Sequence, residues 1–203
     1  MSSFYMPEKP FAVFMDRDGT VCEEVGYVNH PSRCHVFPFS ADAVRAINRA
    51  GAKAVIISNQ AGVARGYFPE SLVVEVNEKI VRALKSRRAH LDAIYYCPHH
   101  PDIGKPPYRL NCECRKPGRG MLDRAERELG VDLSRSYIIG DRRSDIEMAA
   151  LHGLRSALVM TGYGRGEFEY HLPQWEFQPD WVCPNLLQAV RKVLAHSRRE
   201  HCK

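Results

Sequence analysis

No stretch of this sequence approaches the ~20 consecutive apolar residues that a membrane span requires, so no membrane partner is expected. Met1 to Pro10 lack the apolar core of a signal peptide, and the expectation is a cytosolic protein. Internal repeats and low-complexity linkers are also missing, which leaves one domain over residues 1–203, frayed at 1–9 and 197–203. The basic stripe and stacking aromatics of a nucleic-acid channel are not evident, so no nucleic-acid partner is expected. A monomer is the default. What is not scarce is cysteine, with seven residues, and in a reducing compartment these are poor candidates for stable disulfides. The formal net charge of +5 favours anionic ligands, and 44% hydrophobic with 26% charged residues is an ordinary soluble balance.

Five short apolar runs end in a polar or thiol residue: "FAVFMD" (11–16), "AKAVIIS" (52–58), "AIYYC" (93–97), "SYIIGD" (136–141) and "SALVMT" (156–161). Unbroken apolar runs of this length fit strands buried on both faces of a parallel sheet. Helical spacing lies between them. Ala43, Val44 and Ile47 precede Gly51, and Val73, Val76, Ile80 and Leu84 form a stripe entered at Pro69. "GRGMLDRAERELG" and "SDIEMAALHG" each stop at a glycine, and Leu186, Leu187, Val190, Val193 and Leu194 mark a last helix. The alternation predicts a doubly wound α/β fold with a mostly parallel sheet. Two long loops, 17–35 and 98–117, are candidates for function.

Ligands of open α/β sheets bind beyond the carboxyl ends of the strands. "MDRDGT" (15–20) puts Asp16 and Asp18 there, two residues apart, so that both side chains can face one side of an extended chain. Such a pair suits phosphoryl transfer, one carboxylate attacking phosphorus and the other handling the leaving-group proton. A solvated turn would give the same short motif, but three further features converge on it. Ser58 ends the second strand with a hydroxyl that can donate to phosphate. Lys116 can neutralise phosphate charge, and Asp141, with Asp145 one helical turn on, ends the fourth strand. Carboxylates gathered at one sheet edge call for a hard cation, and oxygen ligands suggest Mg²⁺.

The ordered set "DRDGT", "SNQ", "RKP" and "GDRRSD", spread over residues 11 to 160, resembles the haloacid dehalogenase phosphatase superfamily. That resemblance implies a haloacid dehalogenase-type sheet without a large cap domain. It makes Asp16 the nucleophile that forms an aspartyl-phosphate and Asp18 the acid/base. It puts Mg²⁺ on the Asp16 carboxylate, the Asp18 carbonyl and Asp141, and the transferring phosphoryl group on Ser58 and Lys116.

The stretch 97–116 carries Cys97-x-His99, twelve intervening residues, then Cys112-x-Cys114, a Cys₃His set suited to tetrahedral Zn²⁺. Four protein ligands leave no open position, so the zinc is expected to be structural, clipping the loop that ends in Arg115 and Lys116. A disulfide would leave one cysteine of the cluster unpaired, and His100 is the alternative to His99. C-P-H before this loop and C-x-C-R-K-P after it are similar to the branch holding heptose-bisphosphate 7-phosphatases and histidinol-phosphatases. "SNQAGVARGYF" (58–68) and "EEVGYVNHP" (23–31) resemble the heptose members. The implied reaction is hydrolysis of the C7 phosphate of a heptose 1,7-bisphosphate, in the supply of activated heptose for lipopolysaccharide core. The implied substrate contacts are Glu24, Val25, Gly26, Tyr27, Asn59, Gln60, Ala61, Arg65, Arg115 and Arg142. Ser58, Ala61 and Arg142 depart from the threonine, serine and lysine common there, which leaves the anomer open. Histidinol phosphate is the alternative substrate; a DNA 3′-phosphatase and a non-enzymatic zinc-binding module are the other readings.

Overall fold

The structure is a computed structural model that describes residues 9–200; the fraying expected at 1–8 and 201–203 lies outside the described residues. Six strands form one parallel sheet: β1 (Ala12–Met15), β2 (Lys53–Asn59), β3 (Ala93–Cys97), β4 (Tyr137–Gly140), β5 (Arg155–Val159) and β6 (Trp181–Cys183). Their order is β3-β2-β1-β4-β5-β6, with every neighbouring pair parallel. The chain therefore builds outward from β1 through β2 to β3, then crosses back to β4 on the other side. That reversal opens a crevice at the carboxyl ends of β1, β2 and β4, where ligands of such sheets bind.

The strands read as continuous apolar runs because successive side chains enter two different cores. Val13, Met15, Ile56 and Ile139 pack on α1 (Ser40–Arg49), α2 (Glu70–Lys85) and α6 (Leu186–Glu200). Ala12, Phe14, Val55, Ile57 and Ile138 pack on α3 (Gly120–Leu129) and α4 (Arg143–Leu151). Gly130 closes α3 at φ +63°, a left-handed conformation that a side chain would strain. Beyond β5 the chain makes a one-turn α5 (Gly164–Gly166) and irregular helical turns to residue 174. Between β1 and α1 it forms a 3₁₀ turn at Pro31–Arg33 and isolated bridges of Cys22 with Asp18 and Val36, so no cap domain closes over the crevice.

Two features differ from the sequence expectation. β6 is a sixth strand, three residues long with Val182 40% exposed, too short to produce an apolar run. Fraying over 197–203 does not hold for 197–200, because α6 runs to Glu200 with Ser197 buried. The His196 ring sits 5.2 Å from that of Trp181 and its Nδ1 lies 3.1 Å from the Tyr137 hydroxyl, which ties the last turns to the sheet. No helix among the described residues is long and apolar enough to cross a membrane.

Candidate active site

Asp16 follows β1 and donates its backbone N–H to the carbonyl of Ile139 at 2.9 Å, which sets its side chain at the floor of the crevice. Asp141 follows β4 and Asp145 stands in the first turn of α4; both are fully buried. Carboxylate oxygens of these three residues lie within 4.8 Å of one another. The Lys116 ammonium donates to Asp16 Oδ1 and Asp145 Oδ1, each at 2.6 Å, and to the carbonyl of Ile57 at 3.2 Å. Burial opposes the charge on Lys116, yet Asp145 and Asp16 outweigh it and raise its pKa. Burial pushes the Asp16 carboxyl up to about 6, against the pull of Lys116 and with a further push from Asp145 and Asp18. Burial also drives Asp141 well above the carboxylate range, reinforced by Asp16 and Asp145.

Three carboxyl groups share one ammonium, an excess of acidic groups in a buried cluster. Asp141 shows where a cation would sit. One of its oxygens accepts the Tyr163 N–H at 2.8 Å, while Oδ1 is buried with no hydrogen-bond partner among the described residues. A Cβ on Gly19, at φ +84°, would fall 2.1 Å from Asp141 Oδ2, so only glycine lets the chain pass so closely. Hard oxygen donors, an excess of buried carboxyl groups and an orphaned carboxylate oxygen fit a small divalent cation such as Mg²⁺. Asp145 completes the charge cluster, but its oxygens accept from Lys116 and the Arg142 N–H, so Asp16 and Asp141 are the carboxylates left for a cation.

The crevice above has a volume of about 430 Å³ and is lined by most of the residues expected from sequence: Asp16, Asp18, Glu24, Gly26, Tyr27, Ser58, Asn59, Gln60, Ala61, Arg65, Arg115, Lys116 and Arg142. Of the expected substrate contacts Val25 alone does not line it, because its side chain packs against the hydrophobic core, and the fully buried Asp141 lies outside the lining as well. Asn59 and Gln60 line the crevice with their amides committed to protein partners. Asn59 brackets the Lys116 backbone, accepting its N–H at 3.0 Å and donating to its carbonyl at 3.2 Å. Gln60 donates to Ser58 Oγ at 2.7 Å and to Asp18 Oδ2 at 2.9 Å. Thr20, by contrast, keeps a buried hydroxyl with no partner.

Val28, Gly62, Ser144 and Tyr163 also line the crevice. Of these Tyr163 was within reach of sequence reasoning, since it follows the end of β5, where side chains enter such sites. Its ring stacks on Arg142, with the guanidinium carbon 3.7 Å from the ring centroid, and Glu24 lies 3.6 Å from the same guanidinium. Arg115 donates to the carbonyl of His99 at 3.3 Å, and Arg65 holds a buried Nε with no acceptor among the described residues. Three arginines thus line the crevice together with a buried lysine and carboxylates.

Beside the crevice the three thiols and the imidazole converge. Cys112 Sγ lies 3.4 Å from Cys97 Sγ, 3.2 Å from His99 Nδ1 and 3.1 Å from Cys114 Sγ, and His99 Nδ1 lies 3.4 Å from Cys114 Sγ. One atom from each residue within 4.8 Å of the others fits a four-coordinate Zn²⁺ centre. None of the four is in a disulfide, as all three cysteines are free. His100 does not join this cluster; its Nδ1 accepts the backbone N–H groups of Asp102 and Ile103.

Residues 113–189 match the family model described as HAD-hydrolase-like. A protein of Photorhabdus laumondii named D-glycero-beta-D-manno-heptose-1,7-bisphosphate 7-phosphatase is 40% identical over 152 residues, 74% of this chain and 81% of its own. The protein of that name from Yersinia pestis is 36% identical over 185 residues, 91% of this chain and 95% of its own. Among solved structures, the D,D-heptose 1,7-bisphosphate phosphatase of B. bronchiseptica, complexed with magnesium and phosphate, superposes with a TM-score of 0.78 at 33% identity, covering 92% of this chain and 99% of its own. Identity of this order over nearly the full length of both chains, on the same sheet and across the strand ends that hold the carboxylates, means that the chain belongs to the heptose-1,7-bisphosphate 7-phosphatase family of haloacid dehalogenase-like hydrolases.

Proposed function

We propose that this phosphatase hydrolyses the C7 phosphate of D-glycero-β-D-manno-heptose 1,7-bisphosphate, with Mg²⁺ at Asp16 and Asp141 and Zn²⁺ at Cys97, His99, Cys112 and Cys114. The β anomer rests on the names that the relatives carry, and histidinol phosphate and DNA 3′-phosphate are not favoured by them. The observation that carries the reading is the division of charge in the crevice. Buried Lys116 and the carboxylates occupy its floor, while Arg65, Arg115 and Arg142 line its walls.

A primary phosphate on an extended carbon can reach the floor, and the bulkier ring with its second phosphate stays among the arginines. A carboxylate oxygen of Asp16 attacks phosphorus, the bond to the C7 oxygen breaks, and Asp18 gives that oxygen its proton. Water then attacks the same phosphorus, Asp18 takes its proton, and the bond to Asp16 breaks. Ser58 donates to a phosphoryl oxygen, and Lys116, its three hydrogens held by Asp16, Asp145 and the Ile57 carbonyl, supplies positive charge beside it. Mg²⁺, when bound, supplies positive charge beside the transferring phosphoryl group. The second phosphate does not react because it lies away from Asp16, a matter of positioning.

Phosphorus NMR of the product mixture tests the regiochemistry. The expected product keeps its anomeric phosphate; a product with the C7 phosphate intact would mean that the substrate sits reversed.

A further inference from the structure

Arg17 stands between the two aspartates and is only 2% exposed. Strand alternation would send its side chain away from theirs. The strand ends at Met15, however, and the Arg17 carbonyl accepts the N–H groups of Val21 and Cys22 in a tight turn, which brings its guanidinium alongside Asp18. Nε lies 3.1 Å from both Asp18 oxygens and Nη2 lies 2.8 Å from Oδ2. Nη2 also donates to Gln60 Oε1 at 2.8 Å, and Nη1 to Asn77 Oδ1, from α2, at 3.2 Å. A buried guanidinium is costly unless its charge and its donors are matched; here Asp18 matches the charge and each of the three nitrogens has an acceptor.

We infer that Arg17 is a positioning residue that sets which atoms of Asp18, Gln60 and Ser58 face the phosphoryl group. The inference rests on the phosphatase reading above. Its basis is that an arginine can only donate. Gln60 must therefore turn Oε1 toward Arg17, which points Nε2 at Asp18 Oδ2 and Ser58 Oγ. Ser58 Oγ accepts that N–H, so its own hydrogen is free to donate to a phosphate oxygen. Asp18 Oδ2 takes bonds from Nε and Nη2 of Arg17 and from Gln60, whereas Oδ1 takes Nε alone. Oδ1 is thus the oxygen left to exchange a proton with the leaving group and then with water. One buried cation in this way fixes the polarity of both the acid/base and the phosphate donor.

The test compares kcat/KM for a simple alkyl phosphate and for p-nitrophenyl phosphate in the full chain with Mg²⁺ present. An alkoxide needs a proton as it leaves, and nitrophenolate does not. Asp18→Asn, the reference, and Arg17→Lys are each expected to lose on the order of 10²-fold on the alkyl ester and less than about tenfold on the aryl ester. Equal losses on both esters, or none, for Arg17→Lys while Asp18→Asn discriminates would overturn the role of Arg17. Equal losses for Asp18→Asn itself would sink the acid/base reading and the inference with it. Gln60→Glu keeps the partner of Arg17 but cannot donate, so the Ser58 hydroxyl turns to it and KM rises about tenfold or more for both esters. That variant carries the test if Arg17→Lys does not fold, and a wild-type KM in it would overturn the polarity argument.

Discussion

Replacing Lys116 by Met removes the only ammonium that the described residues place at the floor of the crevice, while keeping a side chain of similar length. Asp16, Asp141 and Asp145 are then three buried carboxylates within 4.8 Å, with no lysine among them. Removing one partner of a buried ion pair typically costs about 3–5 kcal/mol, because the charge left behind is desolvated and unpaired. The pairs made by Lys116 meet that condition, with side chains 3%, 8% and 0% exposed for Lys116, Asp16 and Asp145. In a chain of this size that loss corresponds to a fall in Tm of roughly 6–20 °C. Urea denaturation with EDTA at neutral pH measures it. Adding Mg²⁺ should then raise the Tm of the variant more than that of the wild type, since the site has gained a negative charge and anything bound to the native state stabilises it. Asp145→Asn in the Lys116→Met background should recover about 0.5–3 kcal/mol by removing a stranded carboxylate. A loss under about 1 kcal/mol for Lys116→Met, the value of an exposed pair, would refute the reasoning.

Asp16→Asn should retain the wild-type circular dichroism spectrum and show no turnover, because an amide is a poor nucleophile and a weak ligand for Mg²⁺; turnover at the wild-type rate would eliminate the aspartyl-phosphate mechanism. Arg115→Ala should raise KM for the heptose bisphosphate far more than for a simple monophosphate, by about 10-fold or more if one charge-assisted hydrogen bond is lost. Steady-state kinetics on the two substrates check it, and equal changes would place the second phosphate elsewhere.

The parts of this site that were legible in sequence are those in which position along a strand determines direction in space. Asp16 and Asp141 each follow a buried apolar run, so the ends of β1 and β4 could be located without coordinates. The cysteine cluster was legible because metal ligands come in close pairs, and Cys97/His99 and Cys112/Cys114 are such pairs. Arg17 was hidden by the same rule that revealed Asp16, since alternation holds only while the chain is extended and the turn begins one residue after Asp16. Asn59 and Gln60 line the crevice, but an amide gives no sign in sequence of whether it faces a ligand or a neighbour. Val25 was misplaced because it sits in an irregular loop, where adjacent residues need not share a face. Tyr163 could be located from the end of β5, but its stacking on Arg142 is a tertiary contact with no local pattern.

Arg115 and Lys116 are consecutive, yet they hang from different supports, and this predicts what zinc removal would do. Lys116 is held through both backbone polar groups by Asn59 and through its ammonium by Asp16 and Asp145, none of them part of the cysteine cluster. The side chain of Arg115 is anchored on the carbonyl of His99, whose ring belongs to that cluster. Loop 98–117 has other attachments as well. Tyr108 donates to Glu70 on α2 at 2.9 Å, and Gly104 packs so closely that a Cβ there would meet the Ala64 carbonyl oxygen at 2.0 Å. Removing zinc should therefore loosen the loop without releasing it and displace Arg115 before Lys116. Protein purified under reducing conditions should carry one equivalent of zinc. Stripping it should raise KM for the bisphosphate while kcat for a simple monophosphate, which depends on Lys116 and Asp16, changes by less than about tenfold. Metal analysis followed by steady-state kinetics on the stripped protein decides the matter: an absence of zinc would remove the clip, and a collapse of kcat on both substrates would show that the two residues share one support after all.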